Sequence, residues 1–421
     1  MTPFRSISAC IIGNVLEWYE FSLFVYLAPT IAKLFFPAEN YITSLMLTFL
    51  VFASGFIIRP FSAIILGYFG DRVGRAKTLK ATILLLSVSS IVTGCLPVYA
   101  SVGIVSTLLL VVCRLVQGFC IGGEFAGAMI YLTESARPKR RAFVSAMTNN
   151  GSNTGILLAI AACMVFSHAL SPAAFTLYGW RLLFILGGLL GLVGLWLRRD
   201  MSESDVFKAI QEKARQKYTP ISYVIRHQWR RLFGIFFILV ISACGSYVLM
   251  GYLSTYLNVF LSVPLSKAYQ IQTLFTLASL LLVPVFGYLN DRYGRRPVML
   301  FSLMGYLLLT LPIFEWLQFS VSVWVLLPLA VFYSAEQAST PVIISEMLPG
   351  KGRYTGVSIA YNLAMTLIGG TAGFLNTALI RYFHDNMMIA FYIMACAFIS
   401  GVFVLFFFPQ DIGYQSNLAK L

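Results

Sequence analysis

"GYFGDRVGRAK", residues 67–77, returns as "GYLNDRYGRRP", residues 287–297, 220 positions later. A stretch that keeps its leading glycine, its Asp-Arg pair and its Gly-Arg step over that distance marks an internal duplication. A second correspondence extends it: Glu134, Arg141 and Asn150 recur as Glu346, Arg353 and Asn362 at a constant offset of 212. The chain reads as one unit written twice.

What surrounds the repeated motif is apolar. Of 421 residues, 59% are hydrophobic and 11% charged, against roughly one-quarter charged in a soluble domain. Apolar runs of about 20 residues or more, enough to cross a bilayer as a helix, fall near 7–35, 42–66, 79–97, 103–132, 141–168, 181–199, 231–257, 266–289, 297–318, 321–347, 353–380 and 387–409. These predict helices 1 to 12. The longest polar interval, Arg198 to Arg231, divides them six and six. The expected fold is all-α and integral to the membrane, with twelve transmembrane helices in two six-helix pseudo-symmetric bundles, residues 1–199 and 231–421. A cytoplasmic linker, residues 200–230, joins them and contains a short amphipathic helix with Ala, Ile, Val and Phe on one side.

The net charge of +14 is a topological signal, because cytoplasmic loops of membrane proteins accumulate Lys and Arg. With both termini placed in the cytoplasm, 24 of the 30 basic residues fall on the inner side, only Lys33, Arg181, Lys267 and Arg381 on the outer, and Arg59 and Arg114 within the membrane. This distribution speaks against a nucleic-acid partner. The first apolar stretch carries two acids and exceeds the length of a signal peptide's apolar core, so it is expected to remain as helix 1. Seven cysteines lack the close spacing of a metal site or redox pair and read as small core residues. No metal or cofactor is expected.

Charged side chains at the bilayer centre cost at least ~2.5 kcal/mol on insertion scales, so they should face a cavity or one another. Helix 1 contains "GNVLEWYEF", residues 13–21, with Glu17 and Glu20 on one helix face. At the helical rise they lie roughly 15 to 20 Å from the cytoplasmic end, about level with Arg114 on helix 4. A carboxyl holds its proton more tightly in an apolar setting and less tightly beside a guanidinium. Moving Arg114 relative to the two acids would therefore capture or release a proton, which makes these three residues the expected proton-coupling set. The plainer alternative is a static hydrogen-bonding role. Arg59 on helix 2 and Glu124 on helix 4 reach similar depths and are expected to pair as a gate or structural bridge. Gln117, Asn150, Tyr252, Glu336 and Asn362 are the candidates for substrate contact. Tyr247, Tyr252 and Tyr256 on helix 7 present rings that attract an ammonium group, although aromatics near helix ends also anchor at the interface.

The repeated loop closely resembles that of the major facilitator superfamily, G-x-x-x-D-R-x-G-R-[KR]. It appears as Gly67, Asp71, Arg72, Gly74 and Arg75, and again as Gly287, Asp291, Arg292, Gly294 and Arg295, with Ala76 departing from the pattern in the first copy. The resemblance implies that this loop latches the cytoplasmic side. Its acids stand at glycine-containing turns where they can cap a helix N-terminus and pair with neighbouring arginines. "GNVLEWYEF", "IIRPFSAIILGYFGDRVGR", "RLVQGFCIGGEFAGA" and "GWRLLFILG" further resemble the metabolite:proton symporter branch, which usually has Asp where this chain has Glu20. "YVLMGYLSTYL" and "RYTGVSIAYNLA" are most similar to its proline/betaine type, although helix 5 lacks the acid common there and no C-terminal coiled-coil extension follows helix 12.

The resemblance implies a multi-pass carrier of the cell inner membrane, acting as a monomer. It would move a small polar metabolite with protons, most readily a zwitterion such as proline or glycine betaine, by alternating access between its halves. An organic-acid symporter of the shikimate, citrate or 2-oxoglutarate type, using Arg59 and Arg114 for carboxylates, and a proton-driven exporter are the rivals within transport. A nontransporting sensor is the rival from another class. An enzyme is not expected: His168, His227 and His384 are scattered near helix ends, and no G-x-x-x-x-G-K-[ST] loop is present.

Overall fold

The computed structural model describes residues 3–62, 65–66, 75–121, 125, 129–130, 132–133, 136–197, 220–348 and 353–408, and among them there is no strand. Helix 1 runs Pro3–Tyr26 and, past a one-residue step at Leu27, continues as Ala28–Phe35, where Pro29 suits a first turn that needs no N–H donor. Helices 2 to 6 contain Tyr41–Ile57, Arg75–Cys95, Ile104–Ile121, Arg141–Ala169 and Trp180–Leu197. Helix 7 joins Pro220–Cys244 to Leu253–Val259 through a π-helical turn, Gly245–Tyr252. Helices 8, 9 and 10 are Leu265–Tyr293, Arg295–Phe319 and Val323–Met347. Helix 11 joins Arg353–Ala364 to Ala372–Phe383 through a second π-helical turn, Met365–Gly370, and helix 12 is Met388–Phe406. Nine helices among the described residues are long and apolar enough to cross a membrane.

The two halves repeat the same internal packing. Helix 1 lies on helix 5 and helix 3 on helix 6, as helix 7 lies on helix 11 and helix 9 on helix 12. Between the halves, helix 5 meets helices 8 and 10, and helix 2 meets helix 11. Close approach rests on glycine, as expected where the surrounding medium is as apolar as the side chains. A Cβ on Gly118 of helix 4 would stand 2.0 Å from the Gly55 carbonyl oxygen of helix 2, and one on Gly155 of helix 5 would stand 2.2 Å from the Val15 carbonyl oxygen of helix 1. Outward-facing positions such as Leu281, Leu308 and Leu109 remain apolar and exposed, the surface a bilayer requires. Helix 7 begins at Pro220, earlier than the sequence suggests. The amphipathic helix expected in the linker lies largely in residues 198–219, outside the described residues.

The second copy of the repeated loop shows why its acid is there. Asp291 ends helix 8 and reaches across to helix 5, where its Oδ1 accepts from the Ala142 N–H at 3.0 Å and its Oδ2 from the Phe143 N–H at 2.9 Å. Those two N–H groups open helix 5 and have no partner within it. The carboxylate also complements the positive end of the helix dipole. Gly294 provides the turn with φ of 98°, and Arg295 reaches Glu346 at 3.2 Å and Asp291 at 3.8 Å. Gly287, one turn earlier, lets helix 8 close on helix 5, since a Cβ there would lie 3.0 Å from the Phe143 Cα. Arg292 faces outward over the Tyr293 ring at 5.3 Å. In the first copy, Gly67, Asp71, Arg72, Gly74 and the Arg75 side chain lie outside the described residues.

Asp291→Ala removes two charge-assisted hydrogen bonds that join the halves. At about 2 kcal/mol this shifts the closed population at that end by roughly thirty-fold. The expected result is a several-fold drop in initial uptake rate at unchanged protein level in the membrane, measured with labelled substrate in whole cells.

Candidate substrate site

Between the halves lies a small hollow whose walls come from both repeats. Trp18, Phe125, Asn149, Ser152 and Asn153 line it from the first half, and Ser242, Ser246, Tyr333, Gln337, Thr340 and Tyr361 from the second. Among the described residues, no charged side chain is in the lining. Both π-helical turns contribute, through Ser246 and Met365; such turns concentrate at functional sites because they redirect side chains without ending the helix.

The polar lining is held in place from behind. Gln337 Nε2 donates to Ser246 Oγ and to Glu336 Oε2, both at 3.0 Å, and Thr340 Oγ1 donates to Glu336 Oε1 at 2.7 Å. Tyr333 donates to Asn153 Oδ1 at 3.3 Å.

Contacts join the halves on either side of this hollow. Toward the end that carries the basic loops are the Asp291 cap and a Thr133–Ser345 hydrogen bond at 3.4 Å. Toward the opposite end, Tyr26 donates to the Met250 carbonyl at 2.5 Å and Tyr269 to the Tyr26 carbonyl at 2.6 Å. There too Arg381 Nη1 donates to Thr43 Oγ1 at 2.8 Å, and the Phe49 and Tyr252 rings meet edge to face. Among the described residues the halves thus meet on both sides of the hollow, an occluded arrangement.

A second hollow has its described lining within the first half, between helices 1, 3, 4 and 6. Glu17, Glu20, Thr82, Ser87 and Cys120 are among its lining. Ser90 donates to the Glu20 carboxylate, and the position of Gly187 leaves room for it: a Cβ there would stand 2.1 Å from Glu20 Oε1.

The family model for the Major Facilitator Superfamily matches residues 10–271 and 235–420. The chain belongs to that superfamily. A relative from Staphylococcus aureus (strain COL) is 31% identical over 417 residues, covering 97% of this chain and 89% of that one. Proline/betaine transporters of Salmonella typhimurium (strain LT2) and Escherichia coli (strain K12) are each 29% identical, over 407 and 405 residues, covering 94% and 93% of this chain and 81% of theirs. Among solved structures, a D-xylose-proton symporter superposes with a TM-score of 0.77 at 17% identity, covering 98% of this chain and 100% of that one. The fold is therefore that of the superfamily, and the chain is a membrane transporter, not an enzyme.

Within this superfamily fold, the sequence candidates fall in three places. Glu17 and Glu20 share one hollow as expected, whose described lining belongs to the first half, and Glu17 lies within electrostatic reach of Tyr247 and Tyr361 of the second half. Arg114 lies within electrostatic reach of Glu20 without a hydrogen bond to it. Its guanidinium lies over the Phe24 ring at 3.8 Å, its Nε and Nη2 have no hydrogen-bond partner, and Ser90 takes the place beside Glu20. The ring's negative face substitutes for a carboxylate there. Arg59 likewise lies over Phe56 at 4.2 Å and Phe21 at 4.6 Å, while its expected partner Glu124 lies outside the described residues.

Of the substrate candidates, Glu336 stands directly behind the interface hollow, and Asn150 and Asn362 are next in sequence to lining residues Asn149 and Tyr361. Gln117 is buried away from both hollows. Tyr252 belongs to the joint at the opposite end, its hydroxyl 2.8 Å from Thr377 Oγ1. The lining residues Trp18, Asn149, Asn153, Ser246 and Tyr361 were not among the candidates. For Asn149 and Asn153 the signal was present in "SAMTNNGSNTG", a run of small and amide residues too polar to face lipid.

Proposed function

We propose that this transporter is a proton symporter of a small zwitterion such as proline or glycine betaine, working by alternating access in the bacterial inner membrane with both termini in the cytoplasm. The observation that carries this reading is the division of labour between the two hollows. The described lining of the one shared by the halves is polar and uncharged, and the one inside the first half holds two carboxylic acids. A net-neutral solute needs hydrogen bonds and ring faces, not a counter-charge, so an uncharged lining suits it better than it suits a di- or tricarboxylate. The names of the relatives from Salmonella typhimurium and Escherichia coli support the same substrate class.

In the proposed cycle, residues 1–199 and 231–421 rock as two bodies of a single monomer, with 200–230 as the connecting linker. Glu20, with Glu17 beside it, gains a proton when the occupied site faces outside and loses it when the halves open inward. Arg114, held on Phe24 in the occluded arrangement, is the cation whose approach would favour release. Purified protein in liposomes should accumulate labelled proline or glycine betaine when the outside is made acidic. Unlabelled zwitterions should compete and dicarboxylates should not; the reverse order of competition would install the organic-acid reading instead.

A further inference from the structure

The duplication gives the interface hollow two chemically different ends. An offset of 212 maps Phe125 onto Gln337 and Asn149 onto Tyr361. The structure joins these same positions twice across the halves: the Phe125 and Tyr361 rings stack at 4.8 Å and 17°, and Asn149 Nδ2 donates to the Gln337 carbonyl at 2.8 Å. Thr133 and Ser345, hydrogen-bonded to each other, are also 212 apart and mark the axis between the two joints. One joint, made twice, has become a pair of stacked rings in one copy and an amide-to-carbonyl hydrogen bond in the other, with Trp18 edge-on to Phe125 at 6.4 Å. Such a hollow distinguishes the ends of its occupant.

Two donors in the lining have no partner. Asn153 Nδ2 and Trp18 Nε1 are buried, their residues 1% and 7% exposed, and neither finds a hydrogen-bond acceptor. Neighbouring Gln337 is already committed to Glu336 and Ser246. Buried N–H groups without acceptors are costly, and a ligand oxygen removes that cost. We propose that the hollow binds a zwitterion in one orientation, with its carboxylate on Asn153 Nδ2 and Trp18 Nε1 and its ammonium group against the rings of Phe125 and Tyr361. This rests on the zwitterion reading above and adds the residues that set specificity.

The test is equilibrium binding to the purified full chain of labelled glycine betaine and of 3,3-dimethylbutanoate, which keeps the shape and the carboxylate but replaces the nitrogen by carbon. Asn153→Ala and Trp18→Phe should each weaken both probes by about ten-fold, as loss of a charge-assisted hydrogen bond does. Tyr361→Leu should weaken glycine betaine by about ten-fold and leave 3,3-dimethylbutanoate unchanged. Thermal unfolding of each variant separates local from global effects, and Trp18→Phe alone decides the carboxylate end if Asn153→Ala does not fold. Wild-type affinity for glycine betaine in both donor variants, or equal loss of both probes in Tyr361→Leu, would overturn the assignment while leaving zwitterion transport standing. Failure of the wild type to bind glycine betaine or proline would remove the zwitterion reading itself and the assignment with it.

Discussion

Glu20→Gln should abolish uphill accumulation while leaving exchange of labelled for unlabelled substrate across the membrane intact. Glutamine keeps the size of the side chain and an oxygen that accepts from Ser90, the one hydrogen bond to the Glu20 carboxylate in the occluded state. The space opened by Gly187 still holds it. What it loses is the exchangeable proton. A carrier that cannot load or unload a proton still returns with substrate bound, so counterflow persists while the accumulation ratio under an acid-outside gradient falls to about one, the limit for a transporter with no coupled ion. Undiminished accumulation in Glu20→Gln would assign this acid a static role.

The largest expected effect on stability belongs to Gly118→Val. The Gly55 carbonyl oxygen occupies the place a side chain at 118 would need, with the Gly55 carbonyl carbon and Cα 2.6 and 2.7 Å away. The obstacle is backbone on a neighbouring helix, so no rotamer change relieves it. Overpacking ordinarily costs about 1–3 kcal/mol, and forcing two membrane helices apart belongs at or beyond the upper end of that range. The variant should show a several-fold lower yield of folded protein and a midpoint of thermal unfolding in detergent well below wild type. Gly401→Ala is the control: a Cβ at 401 meets nothing within 4 Å, so its midpoint should match wild type.

The fold was legible because duplication and hydrophobicity report on the same thing from independent directions. The repeated loop located two equivalent turns, the apolar runs supplied the helices between them, and the helix ends differ mainly where polar residues extend a helix beyond the lipid, as at Pro220. The contacts of Asp291 were also legible, since a carboxylate at a glycine turn has few partners other than helix N–H groups and neighbouring arginines, and it meets both.

The site was less so, for a reason tied to the repeat itself. Asn150 and Asn362 drew attention by being identical in the two units, yet the hollow is lined by their predecessors Asn149 and Tyr361, where the units differ. Identity between repeats marks positions with a duty common to both halves. A substrate with unlike ends needs positions at which the halves have diverged. A shift of one residue along a helix turns a side chain by about 100°, and no composition signal fixes that phase when the helix is packed on all sides. Arg114 was legible in part: it lies within electrostatic reach of Glu20, as opposite charges at equal depth suggested, but its guanidinium rests on the ring of Phe24, one turn beyond Glu20.

The most direct test of the account is to add glycine betaine to de-energised proteoliposomes and record external pH together with entry of label. Coupled entry predicts that the medium turns alkaline in step with uptake, at a fixed ratio of protons to solute, and that Glu20→Gln abolishes the alkaline shift. Entry of glycine betaine into wild-type vesicles with no proton movement would contradict it.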